Sequence, residues 1–252
     1  MSDNEVAAMP AACSGDDYWL LARRPLNCLC FLTPLLALYE AGVLLLGGVQ
    51  SDSYRNGADF WMREGLQSVG CQQVWLLPAA VVGGLLTWHL VRKDSWRVSP
   101  ETWLGMLAES VLFAVLLLLL GQLQNLAFQQ WSGQLPLAIH DRDILPRAIS
   151  FLGAGIYEEV LFRLCLLPAC YGAWRILLVP HSPAVVLSVL TTSLLFSAAH
   201  YVGPAGDQFS AFSFTFRSLA GLFFAGLFVL RGFGVAAGCH AAYDLLVGVF
   251  LS

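Results

Sequence analysis

The sequence predicts an all-α fold, a polytopic transmembrane helical bundle of about seven to eight spans, and three observations predict it. The chain of 252 residues is 58% hydrophobic and only 12% charged, whereas a soluble domain is about half apolar and about a quarter charged. Its mean hydropathy is +0.68. Its apolar residues fall into blocks of about 17 to 25 separated by polar punctuation, the length a helix needs to cross about 30 Å of hydrocarbon at about 1.5 Å per residue.

The elements follow in order. Residues 1–25 are polar and read as a mobile cytoplasmic tail carrying Asp16, Asp17, Arg23 and Arg24. The first span is 26–48, with Pro34 as a site for a kink. Arg23-Arg24 ahead of an apolar run resembles a twin-arginine signal, but the run is long and no small-residue cleavage site follows, so an uncleaved first span is expected. A charged loop with Asp52, Arg55, Asp59, Arg63 and Glu64 leads to a second span, 74–91. After the basic turn around Arg92, Lys93 and Arg97 comes a third, 103–128, whose leucines 116–120 read as lipid-facing.

The polar connection 129–147 separates an N-terminal half, 26–130, from a C-terminal core, 145–252. Four further spans are expected at 148–171, 184–200, 209–230 and 235–251, with an eighth if Pro168 breaks the fourth into two pieces. No internal repeat suggests a transporter of inverted halves. With seven spans, an inside N-terminus puts Arg23, Arg24, Arg92, Lys93, Arg97, Arg175 and Arg231 inside and Arg55, Arg63, Arg142 and Arg147 outside. That bias favours a cytoplasmic N-terminus.

The net charge of −4 and the absence of a basic stripe give no reason to expect nucleic acid as a partner. The seven cysteines (Cys13, Cys28, Cys30, Cys71, Cys165, Cys170 and Cys239) form no CxxC pair, and most lie in apolar runs. They read as small buried hydrophobes rather than disulfides or zinc thiolates.

An ionisable side chain in hydrocarbon costs a few kcal/mol, about 2.5–3.5 on the insertion scale, so it marks function by default. The C-terminal core holds Glu158, Glu159, Arg163, His200, Arg217, His240 and Asp244. Glu159 and Arg163 are four apart, share a helix face, and can pair with the acid N-terminal to the base. Glu158 points about 100° away and needs partners from other helices, which the two histidines can supply. His240 and Asp244 are also four apart, so the acid can orient the ring.

Together these groups supply a base for water and donors for an oxyanion. No serine or cysteine nucleophile is evident, since nothing activates Ser197 and Cys239 faces away from His240. Glu40, Glu109 and Arg217 lack spaced partners and read as structural, pairing across helices. His89, His140 and His181 read as ordinary polar positions near span ends or in loops.

Three motifs carry a resemblance to a known family. Glu158-Glu159-Val160-Leu161-Phe162-Arg163, Phe196-Ser197-Ala198-Ala199-His200 and His240-Ala241-Ala242-Tyr243-Asp244 resemble, in order, the EExxxR, FxxxH and HxxxN motifs of the CPBP family. Those membrane proteases include CAAX prenyl endopeptidases and bacteriocin-processing or immunity proteins. The resemblance covers about 145–252. It implies an intramembrane endopeptidase in which Glu158 and His200 activate water while His240 and its i+4 partner stabilise the oxyanion. Glu159, with Arg163 and Phe196 in support, completes the site.

Position 244 is Asp where the prenyl endopeptidases carry Asn, and an ionised Asp cannot donate to an oxyanion. Either it acts by keeping His240 protonated, or the site suits another substrate. No cofactor is expected. The alternatives are a zinc enzyme using Glu158, Glu159, His200 and His240 as ligands, disfavoured by the absence of HExxH and by Arg163 beside Glu159, and a non-catalytic scaffold or immunity protein on the same fold. The expected partners are membrane lipid and a peptide or protein substrate, lipidated or membrane-anchored.

Overall fold

The computed structural model describes residues 15–47, 54–132, 144–203 and 206–250, and among them all regular structure is helical, with no strand. Residues 1–14, and with them Cys13, Asp52, His140, Arg142 and most of the 129–147 connection, lie outside this description. The helices are α1 (Gly15–Ala22), α2 (Pro25–Gly47), α3 (Gly57–Ser68), α4 (Leu76–Arg92), α5 (Pro100–Ser132), α6 (Ile144–Gly153), α7 (Leu167–Ile176), α8 (His181–Ala199), α9 (Ala211–Arg231) and α10 (Phe233–Leu245). Two π-helical turns, Ala154–Glu158 and Val160–Leu166, join α6 to α7, and a third, Leu246–Phe250, extends α10.

Each of the seven apolar blocks falls on a helix or helical run. Four of these, α2, α5 over Pro100–Phe128, α8 and α9, are long and apolar enough to cross a membrane. Leu76–Arg92 and Phe233–Val249 are shorter apolar helices. Pro168 does not break the fourth block. It sits at the first positions of α7, where a missing N–H is tolerated, so 144–176 is one helical run of mixed α and π type. Leu104, Leu112, Leu119 and Leu123 form part of an exposed apolar surface on α5, while Leu117 of the leucine run turns inward.

α10 is the central post. Every residue from Phe233 to Ala241 is buried, and the helix packs on α5, α9, α2 and the first π-turn. Its sequence permits this because Gly234 and Gly238 stand four apart, the small-xxx-small spacing that lets membrane helices approach closely. A Cβ on Gly238 would lie 2.5 Å from Ser110 Oγ and 2.8 Å from the Phe31 ring. Gly155 does the same from the π-turn, where an added Cβ would meet Ala241 Cβ and backbone N at 2.5 Å. Gly155→Ala is therefore expected to pry the π-turn off α10. A thermal melt should show a loss of about 1–3 kcal/mol, the usual cost of overpacking.

Three expectations are corrected here. The tail before the first span is helical over α1, and Ala22 is buried. The charged segment between the first two spans is not a solvated loop. It forms α3, with Arg55, Asp59 and Arg63 buried, because these charges find partners on α2. His89 lies in the last turn of α4, near the span end as expected, but is buried there rather than an ordinary polar position, and the ring of Trp96 meets it edge-on at 4.6 Å. Glu109 and Glu40 pair across helices as expected: Glu109 with Arg231 at 2.8 Å, and Glu40 with Arg63 at 3.0 Å.

Candidate active site

The paired glutamates lie where the helical run changes from one π-turn to the next. Such widened turns interrupt the regular i→i+4 ladder and recur at functional sites. Glu159 is fully buried and points into the bundle. Its Oε2 meets Arg163 Nε at 3.0 Å, and its Oε1 accepts a hydrogen bond from His240 Nδ1 at 2.8 Å. The i,i+4 pair read from the sequence is present. Arg163 also donates to the Gly221 carbonyl at 3.0 Å and lies over the Phe196 ring at 4.9 Å. A cation paired, hydrogen-bonded and stacked in this way is compatible with deep burial.

Glu158 is nearly buried and faces the other way. Its Oε1 accepts from Asn56 Nδ2 at 2.9 Å. Its Oε2 has no hydrogen-bond donor among the described residues and lies 3.8 Å from His200 Nε2 and 3.8 Å from His240 Nε2. One carboxylate oxygen is thus anchored, and the other is presented between two imidazoles.

Both rings are held from behind. His200 Nδ1 lies 2.8 Å from the Phe196 carbonyl, and His240 Nδ1 meets Glu159. A carbonyl or carboxylate only accepts, so the proton sits on Nδ1 in each ring and Nε2 is turned toward Glu158. Phe224 stacks on His240 at 4.4 Å and 14°, and Phe196 packs edge-on against both histidines. Asp244 Oδ2 is 3.5 Å from His240 Nε2, on the same side as Glu158.

Two cavities meet at Glu158. One, of about 390 Å³, is walled by aromatic rings including Phe151, Phe212 and Phe216 and contains His240 and Asp244. The other, of about 480 Å³, extends toward Trp61, Gly203, Gly206 and Asp207. Asn56, Glu158 and His200 line both. Arg217, expected to be structural, pairs with Asp207 at 2.5 Å and also lines the aromatic cavity.

All seven site residues expected from the sequence, Glu158, Glu159, Arg163, Phe196, His200, His240 and Asp244, are gathered at this place. Ser197 is not among the groups facing Glu158. It is buried and donates to the Phe214 carbonyl at 2.7 Å. Cys239 is likewise buried, in an apolar cluster with Phe224 and Leu227.

The sequence reading missed the contribution of α2 and α3. Asp59 accepts from Tyr39 at 2.7 Å, Arg55 at 2.8 Å and Arg63 at 2.6 Å. Tyr157, the residue before Glu158, donates to Glu40 at 2.5 Å. Burial opposes the Arg55 cation, but the hydrogen bond and charge of Asp59 outweigh it and hold its pKa above the ordinary value. The signal for this cluster was the i,i+4 spacing of Arg55, Asp59 and Arg63 around Asn56-Gly57, where Asn56 caps a helix.

No curated protein and no solved structure gives a match to the chain. Residues 141–246 match the family model described as type II CAAX prenyl endopeptidase Rce1-like, a stretch that contains all three motifs and leaves 1–140 outside it. The motif resemblance therefore holds over that stretch, which is similar to the Rce1-like CAAX prenyl endopeptidases.

Proposed function

We propose that this chain is an intramembrane endopeptidase that hydrolyses membrane-associated peptides with a water activated by Glu158, and that it needs no metal to do so. The observation that carries this reading is the unbonded Glu158 Oε2, set between two histidine Nε2 atoms at 3.8 Å. That separation is too long for a direct hydrogen bond. It suits a water that touches the carboxylate oxygen and a ring at once.

In the proposed step, the water oxygen attacks the scissile carbonyl carbon while its proton passes to Glu158, with His200 orienting the water. The carbonyl oxygen becomes an oxyanion. His240, with a carboxylate against each ring nitrogen, is built to carry both protons and to donate one from Nε2 to that oxyanion. Collapse of the tetrahedral intermediate breaks the C–N bond, and Glu158 returns its proton to the leaving amine. Asp244, against the same Nε2, supports the charged ring rather than the oxyanion itself.

The two cavities meeting at Glu158 would let an extended peptide cross the carboxylate, with an apolar group among the aromatic rings. A prenylated CAAX-type peptide is the first substrate to test. The bias of Lys and Arg among the connections supports a cytoplasmic N-terminus.

A four-ligand zinc site fits these side chains poorly. Glu159 is turned to Nδ1 of His240 and to Arg163, away from the Nε2 atoms that face Glu158, and among the described residues no group of three or more His, Cys, Asp or Glu is arranged to hold a metal ion. Protein reconstituted in liposomes is expected to cleave a farnesylated CAAX-type peptide at the same rate after prolonged chelation, with far less than one zinc per chain by elemental analysis. Loss of turnover on chelation, restored by added zinc, would replace the glutamate mechanism with a metal one.

A further inference from the structure

We infer that Asn56, outside the matched segment 141–246, is a positioning residue of the active site: its amide fixes Glu158 in the rotamer that aims the free carboxylate oxygen at the two histidines. This inference rests on the proposed role of Glu158 as the base.

The amide of Asn56 has no freedom of orientation. Asn56 is the N-cap of α3, and its Oδ1 accepts from the Ala58 N–H at 2.8 Å. A backbone N–H can only donate, so Oδ1 must face Ala58 and Nδ2 is left for Glu158 Oε1, at 2.9 Å. The backbone is held as well, since Asn56 N donates to Tyr39 Oη at 3.2 Å. Tyr39 Oη in turn donates to Asp59 at 2.7 Å, the carboxylate that also takes Arg55 and Arg63.

The same cluster reaches the other side of the base. Glu40 takes Arg63 at 3.0 Å and Tyr157 Oη at 2.5 Å, and Tyr157 immediately precedes Glu158. One cluster on α2 and α3 therefore holds Glu158 at two points, its carboxylate through Asn56 and its backbone through the neighbouring Tyr157. A glutamate has several rotamers, and an unheld one would spend little of its time facing both rings; a charged hydrogen bond from a fixed donor selects one.

The two functions of Asn56 can be separated. Asn56→Ser keeps a good N-cap acceptor but is too short to reach Glu158. Asn56→Asp keeps the cap and the shape but replaces the donor with a carboxyl group. With reconstituted full-length protein and a farnesylated CAAX-type peptide, Asn56→Ser is expected to melt like the wild type and to lose about 10- to 100-fold in kcat, the size of one hydrogen bond to a charged group, with KM little changed. Asn56→Asp should lose more near neutral pH and have its optimum at lower pH, where the new carboxyl regains a proton to donate.

Glu158→Gln is run alongside. If Glu158→Gln stays active, the reading of the base fails. If Glu158→Gln is inactive while Asn56→Asp keeps the wild-type kcat and pH profile, only the role of Asn56 falls. Should Asn56→Ser unfold, the pH profile of Asn56→Asp still decides, because a purely structural cap would leave that profile where it was.

Discussion

Glu158→Gln is expected to fold and insert normally and to lose about 10²–10⁴-fold in turnover, the contribution of a positioned general base. The substitution is nearly isosteric, and the glutamine carbonyl can still accept from Asn56 Nδ2, whose partner lies 2.9 Å away. No buried cation is orphaned, because the contacts to His200 and His240 are 3.8 Å and not hydrogen bonds. A melting temperature within error of the wild type, measured with peptide cleavage on the same preparation, checks both halves of this expectation.

Glu159→Gln should behave in the opposite way. Glu159 is fully buried and serves Arg163 at 3.0 Å and His240 at 2.8 Å together. Removing its charge leaves Arg163 in the bundle without its anion, and breaking a buried pair in this manner costs about 3–5 kcal/mol. The ring of His240 also loses its charged acceptor, so activity falls with stability. Chemical denaturation of the variant in detergent micelles checks the size. A variant as stable as the wild type would mean that the Gly221 carbonyl and the Phe196 ring suffice to hold Arg163.

Adjacent residues with the same side chain thus separate by partner, and that separation was legible in the sequence. The i,i+4 spacing of Glu159 and Arg163 assigned one glutamate to a structural pair and freed the other, and the structure keeps that geometry even though the turn is π-helical. The fold class was legible for a simpler reason: apolar blocks of membrane length leave a helix as the means of satisfying their backbone. The order of the three motifs pointed to the C-terminal core as the place where charges meet.

What escaped notice involves long-range packing. Nothing in the local pattern around Asn56 says that it meets a carboxylate 102 positions later, since its Asn-Gly signal is accounted for by the helix cap alone. Arg55, Asp59 and Arg63 read as part of a charged loop because charge density is a local property, while their burial depends on Tyr39 and Glu40 of α2. The π-turns were invisible for the same reason. Their widening coincides with the contact of Gly155 on Ala241, which brings Glu159 within 2.8 Å of His240, and periodicity read along a single helix carries no record of its neighbour.

The central claim is that Glu158 carries the chemistry of a membrane peptidase, and cleavage of a farnesylated CAAX-type peptide by purified protein in liposomes tests it most directly. Product termini are identified by mass spectrometry for the wild type and for Glu158→Gln at matched protein density. A defined cut is expected from the wild type and almost none from the variant, with both equally folded. Equal cleavage by the two proteins would contradict the claim.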